Sequence, residues 1–111
     1  IGIAEAHGVA KDKIVLDIGI GFGKSVVQNL ELLARLDIIA GAFSDHVLLV
    51  GASRKSFIGK LLDGAPPDQR LSGSLAAAVI ATMNGARIIR AHDVKATVDA
   101  IKVTNAVLAQ N

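Results

Sequence analysis

Polar side chains able to do chemistry stand at the ends of three short apolar runs. Asp17 follows Ile14-Val15-Leu16, and Ser53 and Lys55 follow Val47-Leu48-Leu49-Val50. Arg90 and His92 close the run that begins at Arg87-Ile88-Ile89. A carboxylate accepts paired N–H donors in bidentate fashion, whereas arginine, lysine and histidine hold anionic oxygens. Brought together, these residues suit a ligand with a hydrogen-bond-donor edge and an anionic tail. A single polar residue after a strand is ordinary loop chemistry. Three runs ending alike carry more weight.

Between the first two runs lies Asp17-Ile18-Gly19-Ile20-Gly21-Phe22-Gly23-Lys24-Ser25. A phosphate-cradling loop of the Walker type needs glycine five positions before the Gly-Lys pair, where this chain has Ile18. The dinucleotide fingerprint fails as well, because its third glycine falls one residue early. Glycines of this kind also serve simply to permit a tight strand-to-helix turn. Phe22, between glycines and near a carboxylate, adds a flat apolar face suited to stacking on a planar ligand. His7 and His46 have no partners at metal-ligand spacing and read as surface or packing residues. Arg54 and Lys60 read as solvated charges, and Arg70 as a charge at a helix start.

These residues need a scaffold that turns all three run ends the same way. Each run is followed by glycine or polar punctuation and then by a helical pattern, so the chain reads as repeated βα units. Strands are expected near 14–17, 47–52 and 87–91, the second continuously apolar as befits a strand covered on both faces. Ser25 and Gln28 fit a capping box for a helix carrying Val26, Leu30, Leu33 and Leu36 on one face. A second helix runs from about Leu71 to Asn84, with Leu75, Val79 and Met83 at helical spacing and Gly85 placed to end it. Asp93 is placed to cap a last helix displaying Val94, Val98, Ile101 and Leu108. Residues 1–10 look like the tail of an earlier helix. Successive βα units imply a parallel sheet with helices outside it.

At 111 residues the chain is one domain or a part of one. Half of its residues are hydrophobic yet only 3% are aromatic, a composition for an aliphatic α/β interior. The net charge of +2 rests on few excess cations, with no basic stripe interleaved with aromatics, so nucleic acid is not an expected partner. Cysteine is absent, which excludes disulfides and thiolate metal sites. No apolar run is long enough to span a bilayer. No basic-then-apolar leader opens the chain, and a cytoplasmic location is expected. Three strands make a small parallel sheet, and a (β/α)₈ barrel takes about 250 residues. A chain that opens with Ile1, partway through a unit, reads as an excerpt of such a barrel.

Four segments resemble the signatures of dihydropteroate synthases: Asp17 with Gly19-Ile20-Gly21-Phe22-Gly23-Lys24 and Asn29-Leu30, then Leu49-Val50-Gly51-Ala52-Ser53-Arg54-Lys55-Ser56-Phe57-Ile58-Gly59, then Arg70-Leu71-Ser72-Gly73-Ser74-Leu75-Ala76, and Arg90-Ala91-His92-Asp93-Val94. They occur in the family's order and cover nearly the whole chain. The resemblance implies the C-terminal part of a (β/α)₈ barrel of the pterin-binding type, about three parallel strands with outer helices. It implies that Asp17 accepts from the amino-pyrimidine edge of a pterin, and that Phe22 packs near the pterin and p-aminobenzoate. Lys55 would donate to the pterin ring, with Gly51 and Ser53 lining the same site. Arg90 and His92 would hold the departing pyrophosphate, so Lys55, Arg90 and His92 are the implied catalytic residues. The implied reaction condenses 6-hydroxymethyl-7,8-dihydropterin pyrophosphate with p-aminobenzoate in folate biosynthesis, with Mg²⁺ assisting and sulfonamides as inhibitors. A homodimer is also implied. The family usually has proline where this chain has Ile18, and isoleucine neither fixes φ nor removes the N–H donor there.

The same resemblance assigns the metal ligand, a further pterin-binding carboxylate and the loops over p-aminobenzoate to a preceding half of the barrel. This segment alone is therefore expected to be inactive. The rival reading is a small non-catalytic α/β module that holds a phosphate or nucleotide at its glycine loop.

Overall fold

The computed structural model describes residues 15–21, 25–43 and 46–110. Residues 1–10, Ile14, Phe22, Gly23 and Lys24 lie outside these, so the expectations placed on them have no counterpart below. Three parallel strands form one sheet in the order of the sequence: β1 (Val15–Asp17), β2 (Val47–Val50) and β3 (Ile88–Ile89). Val15 pairs with Val47, and Leu49 with Ile88. The second and third strands are shorter than the spans 47–52 and 87–91 expected of them. At the third, the amides of Arg87 and Arg90 still donate to the carbonyls of Leu48 and Val50 at 3.0 Å, so backbone pairing outlasts the regular ladder. At the second, Gly51 and Ala52 remain buried but turn away toward the next helix.

Each strand feeds helices that cover the sheet: α1 (Val26–Ala34), α2 (Leu36–Ala42), α3 (Ser56–Leu61), α4 (Leu71–Met83) and α5 (Val94–Leu108). The capping box forms as expected: the Gln28 amide donates to Ser25 Oγ and the Ser25 amide to Gln28 Oε1. Such a cap contributes about 1 kcal/mol. The single helix expected through Leu36 is in fact two, because Arg35 leaves helical geometry (φ −109°, ψ 17°). Gly85, at φ +112°, ends α4 in a conformation that side chains resist. Helix α3 was not anticipated, since six residues carry too little periodicity to stand out from a polar loop.

The core gathers Leu48, Val50, Leu33, Leu36, Phe57 and Ile58 with the small residues Ala77 and Ala81. Each large side chain buried there contributes roughly 1.5–3 kcal/mol. Which helix face turns inward differs from the apolar periodicity. Leu30, Met83, Val94 and Val98 are exposed, and Leu75, Val79, Ile101 and Leu108 are only half-buried. The faces that pack inward are Ser74, Ala77, Ala78 and Ala81 on α4, and Thr97 and Thr104 on α5. Small residues let the two helices approach closely. The threonine hydroxyls donate to the carbonyls of Asp93 and Ala100 at 2.8 Å, so burying them strands no polar group.

Candidate functional site

With the three strands parallel and in sequence order, their C-terminal ends lie on one rim, and the chain leaving each end carries the polar residues. Asp17, the last residue of β1, turns its Oδ1 back to accept from the Gly19 amide at 2.9 Å. Gly19 sits at φ +74°, where a side chain would be strained. The other oxygen, Oδ2, faces Arg90 Nη2 at 3.7 Å. Both side chains are about half exposed, so this pair orients the two groups and adds little stability. The Arg90 guanidinium crosses directly over Gly51, where a Cβ would stand 2.7 Å from Nη2. Gly51 is thus the space that Arg90 occupies.

Lys55 precedes α3 and reaches back across the rim, where Nζ donates to the Ile20 carbonyl. Its stem lies against Gly21, with a Cβ there 2.5 Å from Lys55 Cδ. Gly21 is held in turn from below. Asn29, a buried residue of α1, accepts the Gly21 amide at 2.7 Å and donates from Nδ2 to the Ser25 carbonyl at 3.0 Å. Both ends of a buried amide are satisfied, as burial demands.

Ser53 and Arg54 bind the loop after β2 to the segment after β3. The His92 amide donates to Ser53 Oγ at 3.1 Å, and the ring Nδ1 lies 3.0 Å from the same oxygen. Arg54 donates from Nε and Nη2 to the two carboxylate oxygens of Asp93, at 3.3 and 2.9 Å. This pairing holds the Asp93 carboxyl below its ordinary value and the Arg54 guanidinium above its own. Gly51, Ser53, Lys55, Arg90, Ala91 and His92 together line a hollow of about 130 Å³.

Asp17, Gly51, Ser53, Lys55, Arg90 and His92 therefore meet on one rim, as their places in the sequence required. Arg54 is not the solvated charge its sequence position implied. Asp93 stands at the start of α5, yet its carboxylate makes no capping bond and goes to Arg54 instead. Arg70 is also more than a helix-start charge, since it donates to the carbonyls of Ala65 and Arg54 at 2.7 and 2.8 Å. No local pattern links Arg54 to Asp93, 39 residues away, and none marks Asn29 as the acceptor for Gly21 across the turn eight residues earlier, so neither contact was legible. A much larger groove, about 680 Å³, runs along β3 and α5 past Arg87, Val94, Val98 and Ile101. It is mostly apolar along the open sheet edge and lacks convergent charges, so the rim is the better candidate for chemistry.

The fold defines a class: a portion of a parallel (β/α)₈ barrel whose functional rim is the C-terminal strand edge. A profile of the family described as "Pterin binding enzyme" matches residues 2–92. The chain is 54% identical to an Escherichia coli dihydropteroate synthase over 98% of its own length and 38% of that protein's. It is 48% identical to the Haemophilus influenzae dihydropteroate synthase over 89% of its length and 35% of the relative's. Among solved structures, a Yersinia pestis dihydropteroate synthase with a sulfonamide drug superposes with a TM-score of 0.93 at 49% identity, covering 99% of this chain and 39% of that one. A Coxiella burnetii dihydropteroate synthase in complex with pteroic acid superposes with a TM-score of 0.92 at 41% identity, over 99% of this chain and 40% of that one. The chain belongs to the pterin binding enzyme family, and it spans about two fifths of the length of the relatives it matches.

Proposed function

We propose that this chain forms the C-terminal part of a dihydropteroate synthase and supplies the pterin- and pyrophosphate-facing rim of its active site. The observation that carries the reading is the meeting of Asp17, Lys55 and Arg90 at one strand edge, with Arg90 Nη2 3.7 Å from Asp17 Oδ2. One carboxylate among cations matches a substrate that is a hydrogen-bond donor at one end and an anion at the other. In this reading Asp17 accepts from the amino-pyrimidine edge, Phe22 packs beside the ring, and Lys55 donates to the ring over Gly51 and Ser53. Arg90 and His92 hold the pyrophosphate. The C–O bond to pyrophosphate breaks with its electron pair leaving on oxygen, and the cations stabilise that growing charge. The p-aminobenzoate nitrogen then bonds to the methylene carbon and loses a proton, giving 7,8-dihydropteroate.

Two amides of the glycine loop are already committed within the chain, Gly19 to Asp17 and Gly21 to Asn29. A phosphate cradle would need them free, so among the described residues nothing favours the phosphate-binding module. Magnesium is part of the proposal for the whole enzyme, but the described residues do not fit it. Asp17 faces Arg90, Asp93 is taken by Arg54, and no group of three potential ligands forms among the described residues. A homodimer and a cytoplasmic location belong to the same proposal. Among the described residues no helix is long and apolar enough to cross a membrane.

The test is a chimera in which this chain replaces the matching segment of a full-length relative. Dihydropteroate formation is expected, with abolition by Arg90→Ala and persistence in Lys60→Ala. A folded chimera that makes no product would refute the reading. The chain alone is expected to bind inorganic pyrophosphate weakly, less so at high salt, and to form no product.

A further inference from the structure

Arg54 stands between two rim residues, Ser53 and Lys55, yet does not line the hollow. Its backbone lies in the left-handed region at φ +58°, which a non-glycine residue adopts only when its surroundings hold it there. The amide, the carbonyl and two guanidinium nitrogens of Arg54 are held. The amide donates to Ser74 Oγ at 2.8 Å, and the carbonyl accepts from Arg70 Nη1 at 2.8 Å. The guanidinium grips both oxygens of Asp93. Asp93 adjoins His92, whose amide and ring both meet Ser53 Oγ. Two adjacent residues after β2 thus cross-brace two adjacent residues after β3.

We propose that the Arg54–Asp93 pair is a positioning latch that holds His92 and Lys55 in register across the rim. Neither partner touches the anion. The inference rests on the reading of the rim as a pyrophosphate site. The pair tethers the loop after β3, where no strand flanks it on the far side among the described residues. With the latch open, the Ser53–His92 contacts remain as a side-chain tie between the two segments. They are solvent-exposed and easily exchanged for water.

Simple electrostatics and the latch predict opposite signs for one substitution, which makes them separable. Asp93→Asn removes a negative charge beside His92 and, by charge alone, strengthens binding of an anion. The latch requires it to weaken binding, by about threefold for a partly exposed pair. The experiment uses the full chain with inorganic pyrophosphate as probe, titrated by calorimetry for wild type, Asp93→Asn, Arg54→Ala and Arg54→Lys. Solvent exchange of the His92 amide is measured by NMR on the same samples, and circular dichroism checks the fold. Expected are weaker pyrophosphate binding and faster His92 amide exchange in Asp93→Asn and Arg54→Ala, with partial recovery in Arg54→Lys. Tighter binding by Asp93→Asn, or unchanged His92 exchange in both variants, overturns the proposal. Faster His92 exchange in a protein whose wild type binds no pyrophosphate keeps the latch and removes the reading of the rim.

Discussion

Gly51→Ala separates the placing of Arg90 from the stability of the fold. A methyl at residue 51 would stand 2.7 Å from Arg90 Nη2 and 2.9 Å from Nε, whereas ordinary contact begins at 3.4 Å. The guanidinium must therefore retreat by about 0.7 Å, the difference between the ordinary and the closest of these distances. It is free to do so, because the side chain is 56% exposed and its far end is flexible. The backbone raises no objection, since Gly51 is not in the left-handed region. Alanine at such a position narrows the unfolded ensemble and stabilises by roughly 0.4–1 kcal/mol. A hydrogen bond to a charged group contributes about 1.5–3 kcal/mol, and a displaced guanidinium keeps its longer-range attraction, so roughly fivefold weaker pyrophosphate binding is expected. Urea unfolding and calorimetric titration of the same protein read the two effects separately. Binding that is unchanged refutes the placement of Arg90. Binding and stability lost together refute the claim that the methyl meets only a mobile side chain.

Three further outcomes follow from other parts of the structure. Asn29→Leu leaves the Gly21 amide without its acceptor in a partly buried turn, and a loss of about 1–3 kcal/mol is expected in urea unfolding. The Asp93 carboxyl is depressed by its bond to Arg54, so the contribution of the pair is present above about 3.8 and lost as pH falls through the lower folded value. The His92 amide is therefore expected to exchange faster, beyond the intrinsic pH trend, only as pH falls through that lowered Asp93 value, as read by NMR against Asp93→Asn. Met83, Val94, Val103 and Val107 are each more than half exposed, and an apolar surface of this kind drives association. The chain alone is expected to self-associate in sedimentation, and a monodisperse monomer at high concentration would count against that surface being sticky.

Local and periodic features were legible in the residues themselves. The capping box at Ser25 and Gln28, the stop at Gly85 and the parallel strands at three apolar runs depend on residues within a few positions of one another. The meeting of Asp17, Lys55, Arg90 and His92 was also legible, because parallel strands joined by helices must bring like ends together. Helix faces were not. Periodicity marks which side of a helix is apolar, but in α4 and α5 close approach selected alanine, serine and back-bonded threonine for the inside, leaving valines out. The pairing of Arg54 with Asp93 and the hold of Asn29 on Gly21 also needed the tertiary structure. A charge at one position carries no mark of which opposite charge the fold will bring to it, and its partner here lies 39 residues away. Residue types and spacing determined which groups could meet at the rim; packing decided which side chains line the hollow and which brace those that do.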